Sequence, residues 1–332
     1  MVIAASMAPY IHIPIPGPIF HLNHLALACI YIGCILIDYF ICCCTSIPYH
    51  KYKLWLATFH ILMPIVVAPR TKGWTTFYTA VPWLITSAGV YVAEKYKRTL
   101  TLTAWFKTAF IECMATDPQG DQIRRRGVQR LLRILFGLAI CRYVINPLLP
   151  EVPQTLFQYP WYSISSVYYT FLMGFKGYLL MNASTVSLSV IQTACGIDLL
   201  EPFDKPFLAT SPKDFWSRRW NSIVRNLFIK YLYTANDRGV NKRLYVFYFS
   251  ASMHEIIMTI VNRQMTFEQF CFFMVHGIAV TAQVTLFRTV KLPRPLATVL
   301  TLLFFCLTGK LFLMPFLRYE DMAFFLGKHS YL

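Results

Sequence analysis

Acidic side chains are scarce in this 332-residue chain, which has 15 Asp and Glu against 31 Lys and Arg, and charged residues of all kinds reach only 14% while apolar ones reach 56%. An ordinary soluble domain carries about a quarter of its residues as charges, so that class is excluded and a membrane protein is the first expectation. Paired metal-ligand motifs are missing as well. No apolar segment contains H-x-x-x-H, E-x-x-H or D-x-x-x-D, which argues against a di-iron oxygenase and a magnesium-diphosphate prenyltransferase, and no G-x-S-x-G offers a serine nucleophile. No bound metal is expected. None of the ten cysteines is spaced C-x-x-C, and six of them (Cys29, Cys34, Cys141, Cys195, Cys271, Cys306) sit in apolar windows, where buried thiols are a better reading than a disulfide framework. The run Cys42-Cys43-Cys44 at the end of an apolar window is a candidate for S-acylation. The opening twenty residues have no basic start and carry prolines at 9, 14, 16 and 18, so they do not read as a cleavable signal.

What is present is a succession of apolar stretches at about 22–44, 54–69, 75–93, 134–149, 161–199, 244–262, 269–289 and 296–317, long enough in sum for about eight crossings. The stretch 161–199 exceeds one span; it is interrupted at Gly174-Phe175-Lys176-Gly177 and reads either as a broken helix or as one span followed by an interfacial piece. Connections 94–133 and 201–243 each hold nine Lys or Arg, whereas 150–160 holds none and 263–268 only Arg263. The positive-inside rule puts the two basic connections on the cytoplasmic side. The same clustering accounts for the net charge of +16 without a nucleic-acid partner. No repeat or linker divides the chain, so residues 1–332 are taken as one all-α, polytopic membrane domain, with its motif region in 211–332.

The polar and aromatic hardware concentrates at FWSRRWN, residues 215–221. Ser211 fits an N-cap, Pro212 the first helical position, and Asp214 the place where a carboxylate answers the cap's own N–H. A continuous helix from there puts Trp216, Trp220, Ile223 and Leu227 on one stripe and Ser217, Arg218, Asn221 and Arg225 on another. Two readings stay open: an interfacial helix with indole anchors and snorkelling arginines, or a site for an anionic ligand.

The next apolar segment carries His254 and Glu255 near its middle, where ionisable groups face a cavity or a partner. Ser250 and Ala251, one turn back, leave room beside the imidazole, and His254 reads as a general base, whereas Glu255 reads as a buried partner for a neighbouring helix. His60, His276 and Asp38 are also intramembrane; with no adjoining acid or polar motif they read as core groups. A proton-coupled transporter is the rival from another class, but the matched pair of broken helices it calls for is absent from the sequence pattern.

FWSRRWN followed by SASMHE resembles the membrane-bound O-acyltransferase superfamily, and within it the wax synthase-like branch, over the region from about Ser211 to the chain end. The resemblance implies a multi-pass protein of the endoplasmic reticulum that transfers an acyl group from acyl-CoA, as co-substrate, to a lipophilic alcohol. His254 and Asn221 would be the active-site residues. Arg218, Arg225 and Arg219 are the candidate cations for the CoA phosphates. By analogy with the fungal members of that branch, the expected reaction is acetyl transfer from acetyl-CoA to a terpenoid or meroterpenoid hydroxyl, with long-chain wax or sterol ester synthesis as the alternative.

Overall fold

A computed structural model describes residues 9–47, 49–70, 74–96, 100–114, 122–232, 240–287, 292–318, 323 and 326–328. Each expected apolar segment is helical. α1 (His24–Tyr39) starts where Asn23 accepts the Ala26 N–H at 2.8 Å and runs on as a π-turn, Phe40–Cys44. α2 (Tyr49–Val66) and α3 (Thr75–Lys95) follow, then a helix that the hydropathy pattern did not reveal, α4 (Leu102–Met114), whose Trp105 is almost fully buried and donates to the Gly89 carbonyl at 2.9 Å. α5 (Ile123–Ile140) continues through a second π-turn, Cys141–Ile145, to Leu148. α6 spans Ile164–Ala183, α7 Val186–Cys195, α8 Ser222–Leu232, α9 Val240–Asn262, α10 Glu268–Thr285 and α11 Arg294–Leu317. Four stretches, His24–Cys44, Ile123–Leu148, Arg243–Asn262 and Arg294–Leu317, are long and apolar enough to cross a bilayer. Their outer faces are apolar too. Leu132, Leu135 and Phe136 on α5 and Val299, Leu300 and Leu303 on α11 are exposed, an arrangement suited to lipid rather than water.

The break in 161–199 does not fall at Gly174–Gly177. α6 runs straight through those glycines, and the chain turns at Ser184 and Thr185 before α7, because glycine inside a helix held by neighbours weakens it without ending it. The arrangement is therefore one long helix and a ten-residue companion, and α7 packs along α5.

Short strands tie the ends of the helices together. β1 (Ile13–Pro14) pairs antiparallel with β4 (Gln264–Met265), and β2 (Phe20–Leu22) pairs parallel with β3 (Val67–Pro69). Arg263, in the left-handed region at φ 56°, donates to the carbonyls of Ile65 and Pro64 at 2.9 and 3.1 Å and clasps the same end. Gln154 donates to the Leu317 carbonyl at 3.1 Å, and Lys328 pairs with Glu151. The cation-poor connections 150–160 and 263–268 thus share one end of the helix layer.

Two buried cations hold that end. Lys176, fully buried, donates to Asn146 Oδ1 at 2.7 Å and to the Gly327 carbonyl at 2.6 Å. Arg318 grips both oxygens of Glu268, with Nη2 to Oε1 at 2.6 Å, and both side chains are 8% exposed. Removing one partner of such a pair strands the other, so Glu268→Gln should lower the stability of the detergent-solubilised protein by about 3–5 kcal/mol, and Arg318→Met in the same chain should recover much of it. Equal thermal unfolding of wild type and Glu268→Gln would contradict this.

Candidate active site

The motif does not form one continuous helix. Ser211 caps as expected, accepting the Asp214 N–H at 3.0 Å, and Pro212–Asp214 is helical. The next five residues, Phe215–Arg219, widen into a π-turn in which the Trp220 N–H reaches back to the Phe215 carbonyl at 3.0 Å. Trp220 is then extended and Asn221 left-handed at φ 45° before α8 begins. The single 100°-per-residue stripe is therefore broken at its centre. Asparagine tolerates this backbone better than most residues, and here its Oδ1 also accepts the Val224 N–H at 3.2 Å, so Asn221 caps α8. Its carboxamide N–H₂ has no protein acceptor among the described residues.

Asp214 organises the turn. Its carboxylate is 6% exposed and accepts from Arg218 Nε at 2.7 Å, from Arg219 Nε at 2.8 Å and from the Thr210 N–H at 3.1 Å, one residue upstream of the cap N–H expected for it. Burial alone would raise its pKa, but the Arg219 bond, the Thr210 N–H and the Arg218 bond together hold it below the ordinary carboxylate value. Arg219 also donates to the carbonyls of Asp204 and Lys205, which makes it part of the scaffold. Arg218, though bonded to Asp214, keeps a side chain that is 69% exposed. Arg225 bridges the Ser217 carbonyl at 3.0 Å and Asn226 Oδ1 at 3.1 Å.

The two tryptophans are inward-facing rather than lodged in an interface. Trp216 packs on Phe247 of α9, Phe273 and His276 of α10 and Phe305 of α11, and its indole N–H donates to His276 Nδ1 at 3.1 Å. Trp220 stacks on Phe215 and meets Phe203 edge-on. The amphipathic pattern missed this because tertiary neighbours, not the bilayer surface, offer the indoles their partners.

Three histidines of the apolar helices differ in their partners. His60 shares a 2.8 Å bond with Asp38, and both are buried. His276 is fully buried; because its Nδ1 accepts from Trp216, its Nε2 carries the proton and donates to Thr308 Oγ1 at 2.9 Å. His254 has no hydrogen-bond partner among the described residues. Its ring is half-buried, stacked on Phe273 at 4.3 Å and edge-on to Phe312. Glu255, its neighbour, turns away: Oε1 accepts the N–H groups of Thr266 and Phe267 at 2.9 and 2.8 Å, and Oε2 that of Phe270 at 3.2 Å. It caps α10 from another helix, where Phe267 at φ 60° has no side-chain cap of its own. α9 and α10 are close enough that a Cβ at Gly277 would lie 2.7 Å from Phe247 Cβ.

Trp216 and His254 both contact Phe273, so one aromatic ring joins the motif to the histidine. Among the described residues no hydrogen bond joins Asn221 to His254 directly.

This is a helical integral membrane protein whose polar motif and free histidine meet at one aromatic cluster. Residues 201–275, which hold both, match the model of the membrane bound O-acyl transferase family. Within it the similarity is to wax synthase-like proteins: the chain is 32% identical to a probable long-chain-alcohol O-fatty-acyltransferase of Arabidopsis thaliana, over 39% of this chain and 43% of the relative. It is 29% identical to the long-chain-alcohol O-fatty-acyltransferase of Simmondsia chinensis, over 46% and 47% respectively, and 27% identical to an acyl-CoA–sterol O-acyltransferase of Arabidopsis thaliana, over 38% and 41%. The matched part is less than half the length of these relatives.

The carboxylate of Asp214 contributes stability while ionised. Because its folded pKa is depressed, that contribution is whole above the ordinary carboxylate pKa and is lost as pH falls through the lower folded value. Asp214→Asn should therefore be less stable than wild type at pH 7 and should lose less on acidification; parallel melting curves for the two proteins between pH 7 and pH 3 would refute this role.

Proposed function

We propose that this chain is an acyl-CoA-dependent O-acyltransferase that esterifies a lipophilic alcohol within the bilayer, with His254 as general base. The single observation that carries this is the state of the histidines. His60 and His276 have partners, while among the described residues nothing hydrogen-bonds either ring nitrogen of His254, which lies within the matched residues 201–275. A neutral imidazole there takes the proton of a hydroxyl as its oxygen attacks the thioester carbonyl; the tetrahedral intermediate collapses with release of CoA thiolate, and the proton on the imidazole passes to the departing sulfur. No acyl-enzyme is needed. Asn221 Oδ1 is occupied as a cap, so its amide N–H₂ is the group left to orient the acceptor or to steady the oxyanion. Eight crossings, with the two basic connections in the cytoplasm, bring acyl-CoA to the motif from that side, and the endoplasmic reticulum is the membrane that suits this chemistry.

The relatives' names favour a long-chain alcohol or a sterol as acceptor and a fatty acyl group as donor, ahead of acetyl transfer to a terpenoid. Paired incubations of membranes with acetyl-CoA and palmitoyl-CoA, each offered a fatty alcohol, a sterol and a terpenoid alcohol, separate these.

His254→Ala should abolish ester formation and lower thermal stability only by the lost stacking on Phe273 and Phe312, since among the described residues no hydrogen bond is broken; turnover retained in that variant sinks the mechanism. Asn221→Gly keeps the left-handed backbone and costs only a few tenths of a kcal/mol as a cap, whereas Asn221→Ala strains it and costs about 1 kcal/mol or more. Both should lose kcat by about 100-fold or more if the amide acts on the oxyanion. Full activity in the glycine variant would confine Asn221 to capping.

A further inference from the structure

Upstream of the motif, α5 carries Arg126, Arg130 and Arg133 at i, i+4 and i+7, on one stripe of the helix. Asp198 and Glu201, in the chain between α7 and the motif, answer the two outer arginines. Arg126 lies 3.2 Å from Asp198 Oδ2, the other oxygen of Asp198 accepts from Gln192 at 3.2 Å, and Arg133 is bonded to Glu201. Arg130, between them, is only 3% exposed, and among the described residues neither of its terminal nitrogens has a hydrogen-bond acceptor. Asp198 and Glu201 attract it through space while Arg133 repels it. Three guanidinium groups thus lie along one stripe facing the carboxylates of Asp198 and Glu201.

The same segment is fastened to the motif. The Asp204 N–H donates to the Arg219 carbonyl at 2.9 Å, the Ser222 N–H to the Pro202 carbonyl at 2.9 Å, and Ser222 Oγ to the Glu201 carbonyl at 2.8 Å. α5 and α7 are clamped together, for a Cβ at Gly127 would lie 2.4 Å from Thr193 Oγ1. A buried guanidinium with an empty fork, held by rigid neighbours, is unfavourable unless an acceptor arrives, and the fork matches two oxygens of a phosphate.

We propose that Arg130, flanked by Arg126 and Arg133, binds a phosphate ester group at the edge of the motif. Two sources share that chemistry: the phosphates of the acyl-CoA co-substrate, an assignment that rests on the acyltransferase reading, and the headgroup of an anionic phospholipid. In the motif itself Arg219 commits Nε to Asp214 and Nη1 to two carbonyls, so it is held as scaffold.

The test uses the full chain in nanodiscs of phosphatidylcholine alone, where binding of free CoA is measured with inorganic pyrophosphate as competitor. If CoA is the source, pyrophosphate competes, Arg130→Gln weakens CoA about tenfold or more, Arg130→Lys weakens it less, and KM for acyl-CoA rises while KM for the alcohol does not. If a lipid is the source, CoA binding is unchanged in Arg130→Gln, but phosphatidylserine-containing discs raise the melting temperature of wild type and not of the variant. A folded Arg130→Gln protein that alters neither overturns the proposal. Should Arg130→Gln fail to fold, Glu201→Gln decides: tighter pyrophosphate binding, with recovery of any lost melting temperature, supports the site, and an unrecovered loss overturns it. Binding through Arg130 without ester formation in any protein would instead defeat the acyltransferase reading and leave the site standing.

Discussion

Glu255 places a carboxylate in the protein interior, and three backbone N–H groups leading into α10 make that position tolerable. The exchange works in both directions. An unpaired carboxylate in that setting would be costly, and so would a helix N-terminus with orphan donors; each removes the other's penalty. Because the carboxylate belongs to α9 and the donors to the turn into α10 and its first residues, these bonds also fix how the two helices meet. Their close approach at Gly277 and the placement of Phe273 and His276 follow from that hairpin.

His254 inherits its position from the same constraint. With Glu255 turned to the helix end, the imidazole one residue earlier points to another face of α9 and rests on Phe273. Trp216 approaches Phe273 as well, held by its bond to His276. The motif is kept in register by a second buried carboxylate, Asp214, which gathers two arginines and a backbone N–H. Two acids, each saturated by donors, thus set the stage on which an unsatisfied histidine and an asparagine amide are presented. Saturated groups hold shape; the chemistry proposed for this site falls to groups without a protein partner among the described residues.

Much of the architecture was legible in the residues. Apolar length located every expected helix because hydropathy integrates over a whole segment and tolerates errors at its ends. α4 escaped because its apolar residues are interspersed with polar ones and it is only thirteen residues long. Of the site, Ser211 as a cap and Glu255 as a partner to another helix could be read from local chemistry and depth. The π-turn at Phe215–Arg219 could not, since a pattern at 100° per residue presupposes an unbroken helix and no residue type marks the widening. Nor could the inward packing of Trp216, for an indole suits a membrane interface and a protein core equally well until its N–H finds a partner.

Sequence alone determined the medium, the helical segments, the segregation of positive charge and the pairing of a basic aromatic motif with an intramembrane histidine, because each depends on composition or short-range spacing. Tertiary structure alone decided which histidine lacks a hydrogen-bond partner among the described residues, which arginines are committed, and that Asn221 sits at a left-handed break with its oxygen engaged. Hydrogen bonding is the reason. Whether a polar group is satisfied depends on what reaches it from residues 20 to 60 positions away, as Asp38 reaches His60 and Trp216 reaches His276, and no local pattern records such a meeting.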